Sequence, residues 1–245
     1  MKKIILICFA ALFAIFLTGC VSVNFSPGAV VGVVGSGTPE SFEWSVGEIT
    51  EIRVELGCNV EFFSAPSDVV TLEIQPNLVE YIEIQESGGV LTVRSTRTIS
   101  TRGVFPVLTV SSANLNGFSL AGAGAFTSHD TIVSDSFSLR LDGAGSGRVD
   151  FDVGELSIRM SGAGKLDLGG KADVADFTLS GTGSIEALSL QTRIASVDIS
   201  GVGSVRVSCS ETLRIFANGV GTVEYRGSPS IDLNRGGLVT VRKVD

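Results

Sequence analysis

Phe177-Thr178-Leu179-Ser180-Gly181-Thr182-Gly183-Ser184-Ile185-Glu186-Ala187 alternates apolar and polar residues on both sides of a Gly-x-Gly triplet. Alternation with a period of two marks a half-buried strand, and the glycines punctuate it. The same triplet recurs at Gly122/Gly124, Gly143/Gly145, Gly162/Gly164, Gly181/Gly183, Gly201/Gly203 and Gly219/Gly221, with first-glycine spacings of 21, 19, 19, 20 and 18 residues. A seventh, degenerate copy is read at Arg235-Gly236-Gly237. Four and two residues before the first glycine stand Phe118/Leu120, Leu139/Leu141, Ile158/Met160, Phe177/Leu179, Val197/Ile199, Ile215/Ala217 and Ile231/Leu233. After the corner a second apolar pair follows: Leu166/Leu168, Ile185/Ala187, Val205/Val207, Val223/Tyr225 and Val239/Val241. Val149/Phe151 is displaced by one residue at Gly147, which reads as a β-bulge.

A unit of about twenty residues with two or three short strands cannot bury its own apolar face. Stacking such units about 4.8 Å apart places equivalent residues over one another, and the apolar columns merge into one core. The fold expected is therefore all-β, a right-handed parallel β-helix with Gly-x-Gly corners over 116–245, preceded by a strand-rich part over 40–115. Corners bring stacked backbones close together, which residues without a Cβ tolerate. The short polar residues just before the corners, Asp142, Ser161, Ser180, Ser200, Asn218 and Asn234, suggest a hydrogen-bonded ladder.

Outside the repeats, residues 40–115 also alternate, as in Ile52, Val54 and Leu56 or Val70, Leu72 and Ile74, in runs bounded by Gly, Pro, Asn or Ser. Upstream, Met1-Lys2-Lys3 and the apolar run Ile4 to Leu17 form the basic start and hydrophobic stretch of a signal peptide, expected over 1–19. Leu17-Thr18-Gly19-Cys20 looks like the lipobox of bacterial lipoproteins, in which Cys20 is acylated and becomes the mature N-terminus. An uncleaved anchor is the alternative. Residues 20–39, with Ser26-Pro27-Gly28 and Gly35-Ser36-Gly37-Thr38-Pro39, read as a tether whose nineteen residues after Cys20 reach roughly 25 Å as a coil. An edge strand within Val30 to Val34 is the alternative there.

Net charge of −8 and a pI near 4.7 argue against nucleic acid and against anionic headgroups as the main partner. With Cys8 in the signal and Cys20 acylated, only Cys58 and Cys209 remain. Both lie in alternating apolar stretches, where a buried free thiol is commoner than a bridge, though a disulfide stays open.

The repeats Ser161-Gly162-Ala163-Gly164, Ser180-Gly181-Thr182-Gly183 and Ser200-Gly201-Val202-Gly203 resemble the autotransporter-adhesin head GIN domain family. The resemblance covers roughly Ser41 to the end. It implies an exported, often lipidated, β-helical protein far more than it implies an activity. The middle residue of each corner departs from it, being Ala, Thr or Val where Ser is favoured, and Arg235 replaces a glycine. With no translocator barrel after Asp245, an autotransporter proper is not expected.

Gly143-Ala144-Gly145-Ser146-Gly147 has the composition of a phosphate loop but the wrong context, because a strand and not a helix follows. A calcium β-roll needs a repeated aspartate, whereas the matching column reads Asp167, Glu186, Arg206, Glu224, Thr240. His129 is the only histidine and sits in a polar turn. Trp44 reads as a cap over a coil end. The carboxylates and arginines of a β-helical polysaccharide enzyme are present as Asp142, Asp150, Asp152, Asp167 and Glu186 with Arg140, Arg148 and Arg159, without a spacing that makes them converge. No cofactor, metal or catalytic residue is expected. The function expected is a noncatalytic envelope lipoprotein, held to a membrane through Cys20 and binding protein or glycan through a face of the helix. It would sit in the outer membrane where the cell has two. A polysaccharide-active enzyme and a structural or signalling accessory are the alternatives.

Overall fold

The computed structural model describes residues 32–245. The signal peptide expected over 1–19 and the acceptor expected at Cys20 lie outside these residues. Short strands β1 (Val33–Val34), β2 (Glu40–Trp44), β3 (Glu51–Val54), β4 (Asn59–Ser64) and β5 (Val69–Ile74) come first. A 3-10 turn, Pro76–Tyr81, leads to β6 (Ile82–Ser87), β7 (Val90–Ser95), β8 (Ile99–Ser100) and β9 (Val107–Ser112). The repeats supply β10 (Gly117–Leu120), β11 (Ala123–Ser128), β12 (Ile132–Leu141), β13 (Ala144–Met160), β14 (Ala163–Leu179), β15 (Thr182–Ile199), β16 (Val202–Ala217), β17 (Val220–Arg226), β18 (Ser230–Arg235) and β19 (Leu238–Lys243).

All repeat strands pair in parallel, as a β-helix requires: Phe177 lies beside Ile158 and Val197, and Ile185 beside Leu166 and Val205. The aligned apolar columns point inward. Ile158, Leu179, Ile185, Val197, Ile199, Val205 and Ile215 are wholly buried, so each coil closes the core of the one before it.

The part over 40–115 is not a separate layer. β3 and β4 form a coil of the same helix directly beneath β10 and β11, with Val54 under Leu120 and Val60 under Phe126. Beneath that coil lies another, built from β7 and β9. Stack order therefore departs from chain order. The chain makes the second coil, goes down to build the first, and then passes the second again to start the third. Asn116 N–H donating to the Thr50 carbonyl and Ser112 Oγ–H donating to the Ile49 carbonyl pin this crossing. Antiparallel strands close the end: β5 on β9, β2 on β5, and β6 on β7. Trp44, half-buried on β2 opposite Val70, packs on the core here and serves as the expected cap.

Three sequence readings need correction. The tether expected over 20–39 does not extend to 39, because β1 pairs with β8 and Ser36 N–H donates to Asn77 Oδ1. The bulge expected at Gly147 is absent. Gly147 is in register with Phe126 and Leu166 and takes an inward place itself, kept small because a Cβ there would stand 2.7 Å from Leu166 Cδ2. The true irregularities lie opposite Asp167/Gly169, Ala187/Gln191 and Thr192/Ile194. Finally, the seventh corner is displaced by two residues. Gly219 is capped by Gly237 and Gly221 by Val239, so Ile215 stacks under Leu233 and Val223 under Val241.

Candidate functional site

The corners set the geometry of every outward face. A Cβ on Gly181 would stand 2.5 Å from the Ser161 carbonyl oxygen and closer still to that of Gly162. The same collision, always with the coil below, repeats at Gly122, Gly143, Gly162, Gly201 and Gly219. At the second glycine, Gly124, Gly145, Gly164, Gly183, Gly203 and Gly221, a Cβ would again meet the carbonyl beneath. Of the two positions, positive φ occurs only at the second, at Gly124, Gly164, Gly183, Gly203 and Gly221, and at none of the first. Stacking distance, more than left-handed backbone, thus selects the first glycine of each corner.

With the corner backbone fixed, its middle residues Ala123, Ala144, Ala163, Thr182, Val202 and Val220 face solvent as one ridge. The ladder expected on its shoulder has one formed step, Ser161 Oγ–H donating to Asp142 Oδ1 at 2.5 Å.

On the wall before the corner, Arg53, Ser119, Arg140, Arg159, Thr178 and Asp198 form one outward column across adjacent strands. Gly117 and Ser119 are short and their neighbours long, so the wall dips into a groove of about 640 Å³ bordered by Glu51, Arg53, Glu55, Arg140 and Asp142. Arg53 is held by Glu51 at 2.8 Å. Arg140 and Arg159 lie side by side, both exposed, and neither has an ion-pair partner among the described residues.

The wall after the corner is different. Its outward column runs Arg148, Asp167, Glu186, Arg206, Glu224 and Arg242. Here the charges are matched. Arg206 donates to Glu186 at 3.1 Å and to Glu224 at 2.7 Å, and Arg242 also donates to Glu224. These bonds, Arg242's foremost and Arg206's next, hold the Glu224 carboxyl below the usual carboxylate range. Such a ladder neutralises itself and leaves little for a ligand.

The model of the family described as "Putative auto-transporter adhesin, head GIN domain" matches residues 48–229, most of the chain. The chain belongs to this family. Among solved structures, this head GIN domain superposes on a putative adhesin from Bacteroides fragilis with a TM-score of 0.83 at 22% identity, covering 87% of this chain and 100% of that one. It also superposes on a putative lipid binding protein from Parabacteroides distasonis, with a TM-score of 0.67 at 20% identity over 87% and 99% of the two chains. A putative adhesin from Parabacteroides merdae gives 0.67 at 17% over the same shares. At these identities the likeness is one of fold. No curated protein matches the sequence.

The head GIN domain divides the residues an enzyme reading would need between two walls, and brings Arg148, Asp150, Asp167 and Glu186 together in one pocket on the wall after the corner. Arg140 and Asp142 border the groove before the corner, Arg148, Asp150, Asp167 and Glu186 line the wall after it, and Asp152 pairs with Lys171 in the bend beyond. No three His, Cys, Asp or Glu side chains among the described residues are placed to hold a metal ion. His129 is exposed, stacked on Phe63 at 4.5 Å and paired with Glu61. Cys58 and Cys209 are both buried and free, and burial pushes the Cys58 thiol up to about 12. Arg140 and Arg159 each stand three residues before a first corner glycine, so the register of the corners places them side by side, whereas their lack of an acidic partner among the described residues shows only in the structure.

Proposed function

We propose that this protein is a noncatalytic lipoprotein of the cell envelope, held to its membrane by acylated Cys20. It binds a protein or glycan bearing acidic groups along the wall before the corner. The observation that carries the binding reading is the Arg140/Arg159 step beside the groove. Like charges on adjacent strands repel, which an acidic ligand would relieve. Family membership supports a surface or envelope setting, and the lipobox-like Leu17-Thr18-Gly19-Cys20 supports the anchor. One structural neighbour is a putative lipid binding protein. In this chain the inward columns are filled by apolar side chains, so binding is assigned to the outer wall.

Two experiments test these parts separately. A screen of acidic and neutral glycans and of envelope proteins should give saturable binding that Arg140→Ala with Arg159→Ala weakens by tenfold or more, about 1.4 kcal/mol. Binding that the double variant leaves unchanged would remove the wall from the proposal. Release of reducing or unsaturated sugar from uronic-acid polymers would replace it with the enzyme alternative. Labelled fatty acid should enter the wild-type chain and not Cys20→Ala, and label retained in that variant would overturn the anchor.

A further inference from the structure

Where the described chain begins, the domain exposes apolar residues that no wall of the helix needs. Val34, Val104 and Phe105 are 43%, 46% and 48% exposed. They are close together by topology. Val34 lies beside Ser100 in the β1–β8 pair, Gly35 N–H donates to the Ser100 carbonyl, and the loop to Val104 and Phe105 starts at the next residue. That loop is a tight turn. Val104 N–H donates to the Thr101 carbonyl at 3.1 Å, with Arg102 at φ 54° and Gly103 at φ 83°. Positive φ at both central residues is the mark of a type I′ turn. Among the described residues Arg102 is the only non-glycine with positive φ, a conformation glycine would adopt at less cost. The charge of Arg102 is therefore carried at the tip against the local backbone preference.

The surrounding charge is also unlike the rest of the chain. From Ser87 to His129 there is no aspartate or glutamate, while Arg94, Arg97 and Arg102 fall within this stretch of a protein whose net charge is −8. Arg94 is taken by Glu83, and Arg97 lies over the Tyr81 ring at 5.5 Å. Arg102 has no acidic partner among the described residues. An exposed apolar pair flanked by a free arginine suits one environment in particular, the boundary of acyl chains and anionic headgroups.

We infer that the Thr101–Phe105 tip is a second, noncovalent membrane contact, seating Val104 and Phe105 in the same bilayer that holds Cys20, with Arg102 at the headgroups. The inference rests on the Cys20 anchor. Twelve residues separate Cys20 from Val33, and even fully extended a chain of that length spans no more than about 45 Å, which bounds the distance between an acylated Cys20 and β1. A single anchored chain end leaves orientation free, whereas a second contact beside it fixes which way the helix points. The walls carrying the binding groove would then stand at a set angle to the membrane.

The test uses the full acylated protein in vesicles of phosphatidylcholine and phosphatidylglycerol in roughly equal parts, with bromines near the headgroup end of the acyl chains. Trp44 is the only tryptophan, so Phe105→Trp in a Trp44→Phe background reports the tip alone. Emission should shift to the blue and fall to about half or less on brominated lipid, the depth of an interfacial side chain. Arg102→Glu in that background should weaken the quenching on these vesicles and leave it unchanged on pure phosphatidylcholine. A chain that floats with the vesicles through its acyl groups while the introduced indole stays unquenched overturns the tip and leaves the anchor standing. A chain without acyl groups that does not float overturns the anchor, and the tip with it.

Discussion

Leu56-Gly57-Cys58 occupies a corner, yet only its middle residue is glycine, the reverse of the six Gly-x-Gly coils above. The reason lies beneath it. Between β7 and β9 the chain leaves the stack, so no corner backbone lies under Leu56 or Cys58, while Gly122 and Gly124 sit on top of them. Corner glycine thus follows from the carbonyl of the coil below more than from the bend itself, and only in the last described coil does a larger residue, Val239, stand over a corner glycine, Gly221. It follows that Gly181→Val should cost at least about 3 kcal/mol, the upper range for forcing atoms into filled space. Gly57→Ala should cost under about 1 kcal/mol, because its Cβ meets nothing nearer than the Ala123 carbonyl at 3.6 Å and its φ is negative. Denaturant melts of the two variants measure the difference, and equal losses would show that the bend, not the stack, demands glycine. In the same melts Leu179→Ala, wholly buried, should lose about 2–5 kcal/mol. Its outward neighbour Thr178→Val should stay within about 0.5 kcal/mol.

At the level of the strand, the charge ladder on β14 to β19 is where electrostatics enters stability. Glu224 has its carboxyl held below the usual range by Arg242 and Arg206, so the folded state binds its proton less readily than the unfolded chain does. Its contribution is fully present above the ordinary glutamate pKa of about 4.3 and is lost as pH falls through the lower folded value. Thermal melts should therefore show Glu224→Gln less stable than wild type at neutral pH, with the gap closing as the solution is acidified below about pH 4. A gap that widened on acidification would contradict the linkage. Much of this strand-level order is legible in the sequence. Six regular Gly-x-Gly copies announce their own register, and so the inward columns from Phe118 to Ala217 follow from it. Reading fails where the local signal is ambiguous. Arg235-Gly236-Gly237 reads as a corner with Gly237 in second place, whereas Gly237 takes the first, and every column of the last coil shifts by two residues. Gly147 looks like an insertion because its column is otherwise Phe126, Leu166, Ile185, Val205 and Val223, when in fact the large neighbours leave room only for hydrogen. The coils over 40–115 stay hidden because a corner with nothing beneath it has no glycine pair to find.

Across the whole molecule the two ends of the helix are built differently. At the N-terminal end the coil β3–β4 is held between β7–β9, made later in the chain, and β10–β11. It cannot peel away unless a coil from further along the sequence moves as well. Antiparallel β2, β5 and β6 then cover the outer coil, with Trp44 closing it. At the other end β18 and β19 are the last strands of the stack among the described residues, and there they are paired on one side only. Ile231 and Leu233 are 40% and 39% exposed, with no further coil over them among the described residues. Asp232, Arg235, Arg242 and Lys243 charge this edge, which discourages pairing with another chain. In a stacked array each coil is stabilised by its neighbours, so opening should begin at the singly paired end and move inward. Native-state hydrogen exchange is expected to show it: amides of Ser230–Arg235 and Leu238–Lys243 exchange first, those of Asn59–Ser64 are retained as long as those of the central repeats, and the N-terminal end does not fray ahead of the middle. Rapid exchange at Glu51–Val54 and Asn59–Ser64 would mean that the interlocked coil is not held as its position in the stack requires. Uniform protection through the last coil would mean instead that the helix opens as a single unit and not from its uncapped end.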